Sequence, residues 1–181
     1  MEERLIIAGF GGQGILFCGK VWADIMTQQG HQVTYIPSYG AEVRGGTCNC
    51  HVIVSEEEIA SPVVEAATSL IIMNQPSLDR FAGKLLPDGL IVANASMADA
   101  EPVAGRAKVL APPATDIANE LGNVRVANAV MMGVYNAAKH AADPAELESH
   151  FAQALGSRKA DLVAVNVEAL RRGREWFLAR A

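Results

Sequence analysis

Two glycine-rich runs hold the residues with the clearest capacity for chemistry. The first, Gly9-Phe10-Gly11-Gly12-Gln13-Gly14, matches the pattern G-x-G-x-x-G between an apolar run and a helical pattern. Glycines lack a Cβ, so the backbone can turn tightly and a ligand can approach the N–H groups at a helix start. Those groups and the helix dipole favour an anion. A dinucleotide site would add an acidic residue about 20 positions further on, at the end of the next strand. That strand ends Tyr35-Ile36-Pro37-Ser38, with no Asp or Glu. An anion cradle and a tight turn made for packing therefore both stand open. No Gly-Lys-Ser/Thr follows, which excludes a Walker loop.

The second run is Pro37-Ser38-Tyr39-Gly40-Ala41-Glu42-Val43-Arg44-Gly45-Gly46-Thr47. It sets a hydroxyl, a phenol, a carboxylate and a guanidinium among glycines. Following the second strand, it is expected at the same carboxyl edge of the sheet as the first run, where open α/β sheets bind ligands. A Glu42–Arg44 surface pair alone would contribute little. Asn74, Gln75 and Asn128 are further ligand candidates, with helix capping as the commoner work of Asn. Cys48 and Cys50, with Cys18, read as small core residues, since a metal site needs about four ligands. His51 reads as a hydrogen-bonded structural residue, and His31, His140 and His150 lack metal spacing. No catalytic triad order, H-E-x-x-H or carboxylate pair stands out.

These residues need elements to hold them. Leu5–Ala8, Val33–Ile36, Leu70–Met73, Leu90–Ala93 and Val109-Leu110 read as strands, the apolar ones buried on both faces. Thr47–Ser55 alternates, with Cys48, Cys50, Val52 and Val54 on one face and Asn49, His51 and Ile53 on the other. Helices are expected over Ile15–Gln29, Val63–Ala67 (with Ser61-Pro62 at its start), Leu78 through Leu85 towards Pro87-Asp88-Gly89, Thr115–Leu121, Asn128–Ala141, Pro144–Leu155 and Lys159–Arg180. Pro37–Gly46 is expected as loop. Trp22 and Trp176 lie on apolar helix faces. The alternation predicts a three-layer α/β/α domain over residues 1–181, with a largely parallel sheet and an antiparallel pairing open at Thr47–Ser55.

Composition sets the outer bounds. The 181 residues are 50% hydrophobic and 19% charged, which suits one domain with a sizeable core. A net charge of −5 offers no basic footprint for nucleic acid. Arg171, Arg172 and Arg174 read as solvated surface. Three cysteines without framework spacing, a charged start and no long apolar run lead to the expectation of a cytoplasmic protein with no membrane span.

Taken together, GFGGQG (Gly9–Gly14), PSYGAEVRGGT (Pro37–Thr47), Ser61-Pro62, Asn74-Gln75-Pro76, Ala127-Asn128 with Gly133, and Lys159, Asn166 and Gly173 resemble the gamma subunit of the 2-oxoacid:ferredoxin oxidoreductases. The resemblance runs in order along essentially the whole chain. It implies a multisubunit enzyme that decarboxylates a 2-oxoacid on thiamine diphosphate with Mg²⁺, passes electrons through iron–sulfur clusters to ferredoxin and transfers the acyl group to coenzyme A. Alpha and beta subunits are the implied partners, with a ferredoxin-like delta subunit as a further candidate. This chain has neither a G-D-G thiamine diphosphate motif (Pro87 precedes Asp88-Gly89) nor a cluster-binding cysteine set. It is therefore expected to bind none of these cofactors alone, to carry no catalytic residue or metal, and to be inactive when isolated.

What the resemblance leaves to the chain is assembly and part of the coenzyme A site. The residues implied for such a contact, or for the subunit interface, are Gly9, Gly11, Gly12, Gln13, Gly14, Ser38, Tyr39, Gly40, Glu42, Arg44, Gly45, Gly46, Asn74 and Asn128. Arg44 would meet a coenzyme A phosphate or, the favoured alternative, a carboxylate of a partner or of the domain itself. The second glycine run is more similar to 2-oxoglutarate or 2-oxoisovalerate enzymes than to pyruvate enzymes, with 2-oxoglutarate first. A free-standing nucleotide- or coenzyme-binding domain and a purely structural assembly subunit are the rival classes.

Overall fold

The computed structural model describes residues 2–39, 47–156 and 160–181, and of Tyr39 the backbone alone. Its frame is one six-stranded sheet of β1 (Glu2–Phe10), β2 (Gln32–Tyr39), β3 (Thr47–Ser55), β4 (Ala67–Ile72), β5 (Leu85–Ala93) and β6 (Lys108–Leu110). The order is β2-β3-β1-β4-β5-β6. β3 runs antiparallel to both β1 and β2, whereas β1, β4, β5 and β6 are parallel neighbours. The alternating strand thus brings the antiparallel pairing, and β2 ends beside the start of β3 at the carboxyl edge of β1. Phe10 pairs with Thr47 and Tyr39 with Cys48.

Both faces are covered, as the continuous apolar strands require. Leu5 and Ile7 join the core beneath α1 (Ile15–Gln28), α3 (Ala114–Glu120), α4 (Ala127–Lys139), α5 (Pro144–Leu155) and α6 (Ala160–Leu178). Ile6 and Ala8 point into a smaller core closed by Leu78 and Phe81 of α2 (Gln75–Phe81), Val64, Ala98 and Ala100. Trp22 packs edge-on against Tyr135, with ring centroids 5.2 Å apart. Cys18, Cys48 and Cys50 lie in the helix-side core. α4 and α6 cross at two glycines: a Cβ on Gly133 would come 2.1 Å from the Leu170 carbonyl oxygen, and one on Gly173 2.1 Å from that of Val130. Among the described residues, no helix is long and apolar enough to cross a membrane.

Three local expectations are corrected. β2 does not stop at Ile36 but continues through Pro37–Tyr39, because β3 supplies partners and an edge strand tolerates a proline. Val63–Ala67 is not helical; the Val64 N–H donates to His51 Nδ1 at 3.1 Å, Val64 is buried, and β4 begins at Ala67. The helix after Asn74 ends at Phe81, followed by a 3-10 turn over Ala82–Lys84. Leu85 then pairs with Ala67 in β5, and Pro87-Asp88-Gly89 forms an irregularity before Leu90 pairs with Ser69. The turn chemistry read from that tripeptide operates there, since Asp88 has φ 62°, but inside the span of β5.

Candidate functional site

The Gly9–Gly14 turn is held from inside. Gln13 folds back so that its Oε1 accepts the Phe10 N–H at 2.7 Å and the Asn74 Nδ2 at 3.2 Å. The Gln13 N–H closes the turn on the Phe10 carbonyl at 3.2 Å. Gly9 leaves no room for a side chain, because a Cβ would lie 2.6 Å from Gln13 Oε1 and 2.9 Å from Met73 Cβ. Gly11 is half-buried in the turn, and Gly12 is exposed with φ 96°. Gly14 takes the N-cap position of α1 with φ 75°. A Cβ there would come 2.0 Å from Asn128 Nδ2.

No side chain caps α1, and its first turn carries no acidic residue. The leading N–H groups of a helix lack intrahelical acceptors, so this end offers donors and a positive dipole end to an anion. Behind it, Asn128 Nδ2 donates to the Gly14 carbonyl at 3.4 Å, and Asn128 Oδ1 accepts the Ala129 N–H at 2.8 Å. Asn74 is equally engaged: besides Gln13, it caps α2 by accepting the Ser77 N–H at 3.0 Å. Gln13, Asn74 and Asn128 thus shape the turn with atoms already bonded within the fold.

Beside the turn lies a cleft of about 300 Å³. Gly12, Gly14 and Phe17 form one wall, Asn123, Arg125 and Asn128 another, and Leu162 with Asn166 the third. Asn123 caps the 3-10 turn Val124–Val126 by accepting the Arg125 N–H at 3.1 Å, which fixes the backbone that carries the Arg125 side chain. Arg125 is exposed and has no ion-pair partner among the described residues. Phe17 is anchored edge-on to Phe151 at 5.3 Å. The cleft therefore combines a guanidinium, free helix-end donors, amides and an apolar wall. That chemistry suits an anionic ligand with an organic body.

The residues singled out in the sequence divide accordingly. The fold brings Gly9, Gly11, Gly12, Gln13, Gly14, Asn74 and Asn128 together. Ser38 is exposed at the end of β2, where it pairs with Asn49, and does not line the cleft. Gly40, Glu42, Arg44, Gly45 and Gly46, like Lys159, lie outside the described residues. Arg125, Asn123 and Phe17 line the cleft from outside both glycine runs, and the local signal for them is Asn123, a turn-capping residue three positions after the end of α3 and just ahead of the Arg125 cation. Gln75 ties the start of α2 to the loop after β5, donating to Asp79 on the same helix and accepting the Asp99 N–H at 2.7 Å.

The thiols lie behind this site and not in it. Burial, reinforced by the neighbouring Cys50, pushes the Cys18 thiol far above its ordinary range. Burial, with Cys48 adding, pushes Cys50 up to about 12. Protonated core thiols are poor metal ligands and nucleophiles. His51 is lowered by burial and by the Lys84 charge, in keeping with a neutral ring accepting the Val64 N–H.

A family model described as "Pyruvate ferredoxin/flavodoxin oxidoreductase" matches residues 4–176. The ketoisovalerate oxidoreductase subunit VorA of Methanothermobacter thermautotrophicus is 35% identical over 175 residues, covering 97% of this chain and 36% of its own length. The chain thus spans about a third of that relative. The 2-oxoglutarate synthase subunit KorC of Methanothermobacter marburgensis is 31% identical over 140 residues, 74% of this chain and 75% of KorC. The fold recurs in the 2-oxoglutarate:ferredoxin oxidoreductase from Magnetococcus marinus, solved with 2-oxoglutarate, coenzyme A and succinyl-CoA bound. Its TM-score is 0.89 at 21% identity, covering 99% of this chain and 32% of that one. It recurs in the keto/oxoacid ferredoxin oxidoreductase gamma subunit from Geobacter sulfurreducens PCA, with a TM-score of 0.83 at 22% identity over 99% and 98% of the two chains. The motif-based resemblance and these matches agree, and the chain belongs to the pyruvate ferredoxin/flavodoxin oxidoreductase family.

Proposed function

We propose that residues 1–181 form the gamma-type domain of a cytoplasmic multisubunit 2-oxoacid:ferredoxin oxidoreductase, and that this domain supplies one wall of its coenzyme A site. The observation that carries the reading is the cleft: an α1 start at Gly14 without a side-chain cap, beside the Arg125 guanidinium, which has no ion-pair partner among the described residues. Coenzyme A, when bound, supplies the thiol that accepts the acyl group. The work of this chain is to hold its anionic end. The α1 N–H groups and Arg125 would bind phosphate oxygens, while Phe17 and Leu162 flank the organic part and keep water from it. Gly12 and Gly14 leave the backbone open to approach. Asn128 and Gln13 keep the turn in shape, and Arg44 remains a second candidate for a phosphate or a partner carboxylate. Thiamine diphosphate, Mg²⁺ and the iron–sulfur clusters belong to alpha and beta partners in this reading, with ferredoxin as electron acceptor. Among the described residues no three potential metal ligands gather.

The substrate proposed first is 2-oxoglutarate, from the second glycine run and the similarity to KorC. A branched-chain 2-oxoacid is the second reading, favoured by the longer and higher match to VorA. The test is anaerobic purification of the complex from its native host, followed by coenzyme A-dependent viologen reduction with 2-oxoglutarate, 2-oxoisovalerate and pyruvate. Arg125→Ala in that complex is expected to raise the KM for coenzyme A about tenfold or more, the loss of one charge-assisted bond, with kcat little changed. An unchanged KM overturns the Arg125 contact, and the same measurement on Arg44→Ala decides that residue. A colourless, partnerless chain that binds a dinucleotide unaided would overturn the whole reading.

A further inference from the structure

A second concavity, of about 720 Å³, opens beyond α2 where β5 and β6 end. Its floor is built from small apolar groups: Ala98, Ala100, Val109 and Ala111. With side chains this short, the chain itself leaves the hollow unfilled. Met97 stands 40% exposed at its margin. β6 beside it is three residues long and paired on one side only, to β5, so the hollow abuts an open sheet edge.

The rim is acidic. Asp99 and Glu101 line the hollow, and Asp116 is tied to it through Ser96, whose Oγ donates to Asp116 Oδ2 at 2.9 Å. All three residues are exposed, and none has an ion-pair partner among the described residues. The Asp99 carboxylate accepts the Glu101 N–H at 3.0 Å, and the Asp99 N–H donates to Gln75 Oε1, so the backbone that carries both acids is hydrogen-bonded in place. An apolar floor with unpaired anions around it is complementary to a cation on an aliphatic stem.

We propose that this hollow receives a lysine- or arginine-bearing segment of the subunit that carries thiamine diphosphate, its side-chain stem on the alanine floor and its charge against Asp99, Glu101 and Asp116. The inference rests on the assembly proposed above and adds where, and by what chemistry, the partner is gripped. It uses a surface separate from the Gly14–Arg125 cleft, since the two share no lining residue.

The test is charge reversal in the tagged full-length chain expressed in its native host. Asp99→Lys with Glu101→Lys is compared with Glu57→Lys with Glu58→Lys, an exposed acidic pair elsewhere on the surface. Partner capture is read as thiamine diphosphate recovered per chain, and folding as the melting temperature of the purified chain. The expected result is a loss of capture of about tenfold or more for the rim variant, with retained melting temperature and full capture by the control pair. Undiminished capture by the rim variant overturns the docking site while leaving the assembly intact. Equal loss in both variants overturns it in favour of bulk charge. A wild-type chain that recovers no thiamine diphosphate overturns the assembly reading and the docking site with it.

Discussion

Gly14 shows how little freedom the site allows a single residue. Its φ of 75° already disfavours any side chain, and a Cβ would come 2.0 Å from Asn128 Nδ2. Gly14→Ala is expected to cost about 1–3 kcal/mol, measured by urea denaturation. Gly12→Ala, with nothing within 4 Å of its Cβ but φ 96°, should cost only the backbone share. The thiols give a pH prediction. For Cys50 the ionised form is disfavoured in the native state, so its pKa rises from about 8.5 in the unfolded chain to about 12. Between those values the unfolded state binds fewer protons, so stability is full below about pH 8.5 and falls as pH rises. Melting temperatures from pH 8 to 11 check this, and Cys50→Ala should flatten the decline.

At the scale of elements, the tightest constraint is the crossing of α4 and α6. Each of Gly133→Ala and Gly173→Ala pushes a methyl into the backbone of the other helix and is expected to cost about 1–3 kcal/mol or more. The double variant should cost less than the sum, because helices already parted by one methyl accommodate the second. Denaturation of the four chains measures that coupling, and strict additivity would refute a shared crossing. Both glycines stood out in the sequence as members of a pattern, but nothing in their neighbours says that they face each other. The strands and long helices were legible because their periods and caps are local, as at Pro144–Leu155. Asn74 likewise caps a helix as its type suggested. The failures came where a distant partner decides: Val64 follows His51, Pro37–Tyr39 follow β3, and Leu85 follows Ala67. Half of the site was visible for the same reason. The glycine turn is written in six consecutive residues, whereas Arg125 reaches it only through the packing of α4 against α1.

Over the whole molecule, the two ends of the sheet carry different duties. The carboxyl edge of β1 and β4 gathers the glycine turn, the cleft and the ends of the β2–β3 hairpin. At the opposite end Glu3 fastens β1 to α4, accepting from Tyr135 Oη at 2.9 Å and from Lys139 Nζ at 2.7 Å. Burial, then the Glu3 charge, pushes the Tyr135 phenol well above its usual range, which keeps its proton available for that bond. Glu3→Ala should therefore cost about 1–3 kcal/mol in denaturation, since it orphans a buried hydroxyl. In the assembled enzyme it should leave the KM for coenzyme A unchanged, and a raised KM would contradict this division. The β2–β3 hairpin carries a different consequence. Its strands are fastened to each other from Gln32↔Ser55 to Tyr39↔Cys48, and β3 is fastened along its full length to β1. The register of both strands is therefore held by these ladders on either side of β3, so a substitution between positions 39 and 47 is expected to leave every strand pairing unaltered.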